Sequence, residues 1–244
     1  MISPYILEMQ STTASNIVPY DFHMHTKFTD GESSVEEMHA QAISQGLRAI
    51  LFSEHARKSS GPWFQEFAQT VRSLPHDQCL ALVGVESKVA DFSGELDLSD
   101  EIYNTVDLVM ASVHRFPGET GSIKGNSGGL TSEQAIDREF RLSMAVLENP
   151  RVDILGHPFG MSYRRFKAAP PADLFKKLIQ KAADQSVAVE INPHYHPEPW
   201  QIYAWCKEFG AMISLGSNAH NLHEVARIQR VLQGKESSWQ IPVS

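Results

Sequence analysis

Seven of the eleven histidines in this chain follow short apolar runs, a spacing that can build a metal centre. They are His23, His25, His55, His114, His157, His194 and His220. A carboxylate, Glu86, ends another apolar run in the same way. Neutral imidazole and carboxylate are ligands of choice for zinc, manganese and iron, and one carboxylate can bridge two ions. The pattern therefore predicts a site for several divalent ions.

Predicted β-strands must position these side chains. Apolar or β-branched runs alternate with longer amphipathic runs, which is typical of repeated βα units. Continuous apolar runs such as RAILFS and VDLVMAS favour parallel strands covered on both faces. In such folds the carboxyl ends of the strands converge on one mouth, where chance would place only about one of these histidines. The predicted strands span 17–25, 48–55, 79–86, 106–114, 152–157, 187–192 and 212–220.

The histidines differ in how strongly their positions indicate a role. His23 and His25 lie two apart on a strand, so both project to one face and can hold one ion. His194 and His196 remain ambiguous, since either could contact substrate or metal. Surface positions are expected for His39 and His76, and a position at the start of a helix for His223.

Helix boundaries and loops are also readable. Helices are predicted to begin after Ser33 or Ser34, after Thr131 and after Pro170-Pro171, and to stop at Gly46 and Gly210. The glycine-rich stretch 115–130 predicts a long loop, and it lacks the G-K-[ST] ending of a phosphate-binding P-loop. We expect residues 1–15 to be a loosely docked extension and residues 16–244 to be one domain.

Composition restricts the class of partner. The 29 acidic residues outnumber the 21 basic residues, giving a net charge of −8, and no basic run offsets it. This argues against broad nucleic-acid binding and favours a small substrate. The two cysteines, Cys79 and Cys206, are expected to be buried thiols. No apolar stretch has the length of a signal peptide or membrane span, so a cytoplasmic protein is expected.

The motifs resemble those of the PHP family, the polymerase and histidinol phosphatase superfamily, from residue 20 to about residue 232. The resemblance rests on DFHMHTKFTDG, SEH, GVES, SVH, GHP and SNAH, each at the end of a predicted strand. It implies an α/β fold, a distorted seven-stranded (β/α)7 barrel like a TIM barrel. It also implies two or three divalent ions (zinc, manganese or iron) and hydrolysis of the phosphate ester of a small metabolite, with histidinol phosphate as one candidate.

Three ligand sets follow from the resemblance. The first is His23, His25 and Asn218; the second is His114 and His157; the third is Asp30, His55 and His220; and Glu86 bridges the first two. The attacking water would be activated by the metal ions at Glu86, His114 and His157. Asn218 departs from the family, which usually has aspartate there. Its amide carries no charge to offset a dication, so the first site is expected to bind its ion most weakly.

Arginines beside the ligands would bind the phosphate. Arg57 and Arg115 each follow a ligand histidine closely enough to face the mouth, and a guanidinium matches phosphate geometry. Lys88, Lys124, Arg164 and Arg165 are weaker candidates. Two rival functions stay open: a metal-dependent amidohydrolase, which would want a bridging lysine near mid-chain, and a non-catalytic metal-binding accessory or sensor domain, with Asn218 as the symptom of lost activity.

Overall fold

A seven-stranded parallel sheet curls into a barrel in the computed structural model, which describes residues 3–119 and 129–241. Its strands pair in chain order. Met24 forms a parallel bridge with Ala219, and the N–H of His25 donates to the Ala219 carbonyl at 2.8 Å, so the chain after the last strand closes against the first. The strands are β1 (Tyr20–Met24), β2 (Ala49–Ala56), β3 (Leu80–Lys88), β4 (Leu108–Ser112), β5 (Ile154–Leu155), β6 (Ala188–Ile191) and β7 (Ile213–Leu215). The predicted seven-stranded barrel is confirmed.

Helices connect most of the strands in the part of the chain that is described. They are α1 (Pro4–Met9), α2 (Val35–Ser44), α3 (Pro62–Arg72), α4 (Asp100–Tyr103), α5 (Ser132–Val146), α6 (Gly160–Arg164), α7 (Ala172–Gln185), α8 (Pro199–Phe209) and α9 (Arg227–Leu232). None of them has the length and hydrophobicity that a bilayer-spanning segment needs.

The predicted helix boundaries match the structure. Ser34 accepts a hydrogen bond from the N–H of Glu37 at 3.2 Å, and the Glu37 carboxylate accepts from the N–H of Ser34, which forms a capping box. Thr131 forms the same box at the start of α5. Gly46 follows α2 with a φ of +74°, a left-handed conformation that glycine adopts without steric cost.

The strands are short but thoroughly buried. All five residues of β1 and of β4 are buried, as expected for strands covered on both faces. Phe22, Phe52 and Met110 are fully excluded from solvent in the core. A packed core of this kind holds the strand ends in fixed positions, which a multi-ligand site needs.

Residues 3–15 are docked against the barrel, so the prediction of a loosely docked extension is wrong for them. Ile6 and Met9 are buried, and Tyr5 packs edge-on against Phe22. The Gln10 side chain donates to the carbonyl of Ile213 and accepts from its N–H, both at 3.1 Å. Helix α1 therefore packs at the amino end of β7, opposite the mouth that carries the histidines. The assignment of residues 16–244 to one domain stays a prediction.

Two predictions about isolated side chains have different outcomes. His39 is buried, and its Nε2 donates to the carbonyl of Cys79 at 2.8 Å, so the predicted surface position is wrong. His76 is exposed as predicted.

Cys79 and Cys206 are buried and unpaired, as expected. Most of the predicted 115–130 loop lies outside the described residues.

Candidate metal centre

The predicted ligands meet at the carboxyl ends of the strands. His55 on β2 lies in register with Glu86 on β3, so the parallel pairing alone places these two side chains together. The remaining ligands stand at or just beyond their own strand ends and surround this pair. Among the described residues, three overlapping clusters have imidazole and carboxylate atoms within 4.8 Å of one another: His25, Asp30, His55 and His220; His23, His25 and Glu86; and His55, Glu86 and His114. The ligand groups are numbered as the three predicted ligand sets.

The first ligand group lies in the barrel interior. Nε2 of His23 lies 3.1 Å from Nε2 of His25. These two nitrogens lie 3.4 and 3.5 Å from Oε2 of Glu86. Oδ1 of Asn218 lies 3.3 Å from Nε2 of His25. Asn218 has a φ of +53°, a left-handed conformation that asparagine tolerates better than most residues. The amide oxygen therefore faces the same point as the two imidazoles.

The second group gathers around the other oxygen of Glu86. Nε2 of His114 and Nε2 of His157 lie 2.9 and 2.8 Å from Oε1 of Glu86. The two imidazole nitrogens are 3.3 Å apart. One carboxylate thus faces the first group through Oε2 and the second group through Oε1. This is the arrangement that a bridging carboxylate requires.

The third group is more exposed to solvent. Oδ2 of Asp30 lies 3.6 Å from Nε2 of His55 and 3.5 Å from Nε2 of His220. The other ring nitrogen of His55, Nδ1, lies 3.1 Å from Oε2 of Glu86. His55 therefore stands between the third group and the Glu86 carboxylate.

Buried carboxylates behind the ligands fix their orientation. Oε1 of Glu190 accepts a hydrogen bond from Nδ1 of His23 at 2.7 Å, which directs the lone pair of Nε2 into the site. Oε2 of Glu190 accepts the backbone N–H of His157 at 2.5 Å. On the opposite side, the fully buried Glu54 accepts from the backbone N–H of Thr26 at 2.7 Å, next to His25.

Glycine is required next to this network. A Cβ atom at Gly216 would collide with the Glu190 carboxylate and with the Cβ of His23. The backbone after β7 thus approaches the His23–Glu190 pair more closely than any other residue would permit.

The electrostatics of the cluster favour a positive charge between its ligands. Burial alone would raise the pKa of Glu86, but the surrounding imidazoles of His114, His23 and His55 hold that pKa well below its usual range. Burial lowers the pKa of His25 well below its ordinary value, and His55 and His23 lower it further. Glu86 therefore remains an anion and His25 a neutral ligand at neutral pH.

The donor set fits divalent metal ions. Oε2 of Glu86 is buried and makes no hydrogen bond of good geometry among the described residues, although three imidazole nitrogens lie 3.1, 3.4 and 3.5 Å from it. Such groups are costly unless a cation or a ligand satisfies them. Imidazole nitrogens 3.1 and 3.3 Å apart would oppose their lone pairs if no proton or metal lay between them. Nitrogen and carboxylate donors of this kind suit zinc, manganese and iron.

A cavity of about 590 Å³ opens above the cluster. Arg57 and Arg115, the predicted phosphate-binding residues, both line it, and so does Lys88. Tyr195 also lines it and stacks on His157 with ring centroids 4.1 Å apart. The structure therefore brings both predicted arginines to the mouth that carries the ligands.

The weaker candidates have other contacts. Arg164 donates to the carbonyl of His194 at 3.0 Å and lies over the ring of Trp239. Arg165 forms a bidentate pair with Glu119, at 2.6 and 2.9 Å. Lys124 lies outside the described residues.

The ambiguity over His194 and His196 is resolved for one of them. His196 is fully buried; its Nδ1 accepts from the N–H of Asn192 at 3.1 Å and its Nε2 donates to the carbonyl of Pro158 at 3.0 Å. Both ring nitrogens are used, so His196 supports the loop after β6. His194 is half-buried, and burial lowers its pKa to about 3, so it is neutral.

Sequence reasoning missed Glu190, Glu54 and Tyr195. Glu190 interrupts the apolar run VAVEIN and Glu54 interrupts AILFSEH, and an acid inside a buried strand is a signal that it holds a specific partner. Tyr195 carried no comparable signal, because it belongs to the loop after β6.

A profile of the PHP domain matches residues 21–194 of this chain. The chain belongs to the PHP domain family. The matched part contains β1 from its second residue, all of β2 to β6, and every predicted metal ligand except Asn218 and His220, which follow β7. The unusual asparagine thus lies outside the segment that matches the PHP profile.

Relatives of this PHP protein span most of its length. A protein of Caldicellulosiruptor saccharolyticus named probable phosphatase is 27% identical over 216 residues, covering 84% of this chain and 81% of the relative. A protein of the same name from Acetivibrio thermocellus is 28% identical over 223 residues, covering 86% and 83%.

A solved structure shares the PHP barrel. The crystal structure of histidinol phosphate phosphatase from Lactococcus lactis subsp. lactis Il1403, complexed with zinc, L-histidinol and phosphate, superposes with a TM-score of 0.63. The two sequences are 22% identical, and the match covers 89% of this chain and 93% of the other. At this identity the likeness supports the fold.

Proposed function

We propose that this PHP protein is a metal-dependent phosphatase that hydrolyses the phosphate monoester of a small metabolite. The observation that carries the proposal is the position of Glu86, whose two carboxylate oxygens face two different groups of histidines. The names of the relatives and membership of the PHP family support a phosphatase. Histidinol phosphate is one candidate ester.

We assign the metal ligands as the sequence predicted them. Two or three divalent ions (zinc, manganese or iron) would be held by His23, His25, Asp30, His55, Glu86, His114, His157, Asn218 and His220. When bound, the ions supply Lewis-acid activation of water and charge compensation for the phosphoryl oxygens. His25 also approaches the third group, so it stands between two of the proposed sites.

The protein's own side chains would position the ester. Arg57 and Arg115 line the cavity and would bind the phosphoryl oxygens with their guanidinium groups, whose planar donor arrangement matches phosphate. In the reaction, water oxygen bonds to phosphorus, the ester P–O bond breaks, and the leaving oxygen takes a proton to become an alcohol. The direction of attack is set by where the arginines hold the phosphoryl group relative to Glu86.

The test is phosphate release in the presence of added metals. We expect release from small phosphate monoesters with zinc, manganese or iron(II), loss of release after chelation, and at least two equivalents of bound metal by elemental analysis. The control variant is His76→Ala, which removes an exposed histidine and should retain both phosphate release and bound metal. Tight metal binding with no release from any ester would instead support the sensor-domain alternative. A cytoplasmic location stays a prediction.

A further inference from the structure

Lys88 gives the cavity a cation beyond the two that the ester phosphate would use. Glu86 and Lys88 lie two apart on β3, so their side chains project to the same face, and the strand rise places Lys88 about 6–7 Å farther toward the mouth. Ala56 pairs with Ser87 in the register of β2 and β3, so Arg57 and Lys88 directly follow paired positions on neighbouring strands. Lys88 therefore lies above the bridging carboxylate, beside Arg57.

The charge of this cavity contrasts with that of the whole protein. The chain has a net charge of −8, yet three cations, Arg57, Lys88 and Arg115, line this cavity. The described residues that line it include two carboxylates, Asp30 and Glu86, and both belong to the ligand groups. No carboxylate within residues 3–119 and 129–241 forms an ion pair with Lys88. Among the described residues that line the cavity, a ligand's ammonium group would find no carboxylate outside the proposed metal centre.

The neighbouring Lys58 has an acidic partner, whereas Lys88 has none among the described residues. Lys58 lies one residue after Arg57, and its ammonium pairs with Glu95 at 2.7 Å, outside the cavity. A phosphate dianion held by Arg57 and Arg115 would already be matched in charge by those two guanidinium groups. The Lys88 ammonium is therefore available to a different anionic group of the same ligand.

We propose that Lys88 forms a second anion subsite, so that the preferred substrate is a phosphate monoester carrying another anionic group about three carbons from the ester, a length comparable with the rise of about 6–7 Å from Glu86 to Lys88. The inference rests on the proposed function of the same site. It disfavours esters whose remainder is a cation, such as amino-alcohol phosphates, and therefore ranks histidinol phosphate below anionic candidates. A second phosphate and a carboxylate share the required chemistry, and the experiment separates them.

The experiment uses phosphonates, which bind without being hydrolysed. Calorimetry on the zinc-supplied protein would compare propane-1,3-bisphosphonate with 3-hydroxypropylphosphonate and 3-aminopropylphosphonate, which differ only in the terminal group. We expect the bisphosphonate to bind at least about tenfold more tightly than the hydroxyl compound, and the amine most weakly. 3-Phosphonopropanoate shows whether a carboxylate can replace the second phosphate.

Variants assign the preference to Lys88. Lys88→Met should remove most of the bisphosphonate preference and change hydroxypropylphosphonate binding by less than about twofold, whereas Lys88→Arg should retain the preference. Lys58→Met removes the same charge outside the cavity and should leave the preference intact. Equal binding of the three ligands, or an equal loss of all three in Lys88→Met, would overturn the subsite.

Hydrolysis of the corresponding three-carbon esters separates the subsite from the proposed function. If the natural protein prefers the bisphosphonate but hydrolyses none of the esters with any metal, the subsite stands and the phosphatase assignment fails. If it hydrolyses all three with equal kcat/KM and binds the phosphonates equally, the phosphatase assignment stands and the subsite fails.

Discussion

Nδ1 of His23 donates to Oε1 of Glu190 at 2.7 Å, with both side chains fully buried. The same carboxylate accepts the backbone N–H of His157 through its other oxygen and the amide N–H of Asn192 through Oε1. Burial alone would raise the pKa of Glu190, but His23 holds it below its ordinary value, so the group stays an anion. Glu190 thus orients one proposed ligand of the first group and one of the second.

Glu190→Gln should weaken metal binding without removing any proposed ligand. An amide offers one acceptor oxygen, so its NH₂ must face either His23 or the N–H of His157, and one donor loses its partner. We expect metal affinity to fall by about 10–100-fold, the usual effect of removing a partner behind a ligand. Metal titration measures it, and Glu66→Gln, at an exposed position on α3, is the control. Unchanged affinity would show that Glu190 has only a packing role.

Glu86→Ala should remove more than one equivalent of bound metal and abolish phosphate release. The two oxygens of Glu86 face different histidine groups, so the substitution removes the anion that the two groups share. Elemental analysis after dialysis measures the loss. Glu86→Gln tests whether the shape of the side chain is enough to bind the metal ions, because the amide keeps the volume of the carboxylate but not its charge. Loss of one equivalent alone would mean that Glu86 serves a single ion.

The ligand cluster could be predicted from sequence because its positions depend on local rules. Each proposed ligand except Asp30, which was assigned from its motif TDG, stands at or just after an apolar run, and parallel strands bring their carboxyl ends together whatever the loops do. His55 and Glu86 show this most directly, since they lie in register on neighbouring strands. The partners behind the ligands depend instead on how strands face one another across the barrel, so nothing in VAVEIN indicated that Glu190 reaches His23.

The wrong predictions for His39 and for the N-terminal helix α1 have different physical causes. The buried face of α2 carries Val35, Met38, His39 and Ala42, which have helical spacing, so the sequence did contain the signal that His39 points inward. Helix α1 has six residues, too few for a periodic pattern to stand out. Its docking depends on a long-range contact between Gln10 and Ile213, which local patterns do not reveal.

Glu139→Gln should flatten the dependence of stability on pH. The Glu139 carboxylate is buried on α5 and accepts from the N–H of Met161 and from the N–H and hydroxyl of Ser162. Burial raises its pKa to about 7. Between about pH 4.5, the value for an unfolded chain, and pH 7, the folded state binds more protons, so stability falls as pH rises through this window.

Without the titration of Glu139, the difference in the free energy of unfolding between acidic and neutral pH should change by on the order of 3 kcal/mol. Urea unfolding of the chelated natural protein and of Glu139→Gln at pH 5 and pH 8 would measure it, since buried Asp21 and Glu54 titrate in both proteins and cancel in the difference. The variant should also be less stable at pH 5, because its NH₂ faces backbone N–H donors. Parallel pH profiles for the two proteins would contradict the prediction.

Asn218→Asp should tighten the first metal site. Oδ1 of Asn218 lies 3.3 Å from Nε2 of His25, so a carboxylate in the same place would face the ion shared by His23 and His25 with a full negative charge. Aspartate tolerates the left-handed backbone at this position nearly as well as asparagine, so the fold should accept the change.

In the natural protein the first ion should be lost earliest on mild chelation, while the ion at Asp30, His55 and His220 persists. Metal titration of the natural protein and the variant compares the two affinities, and turnover near neutral pH should rise if the new carboxylate also accepts a proton. Equal affinities at all sites in the natural protein, with no tighter binding in the variant, would mean that the amide oxygen is as good a ligand here as a carboxylate.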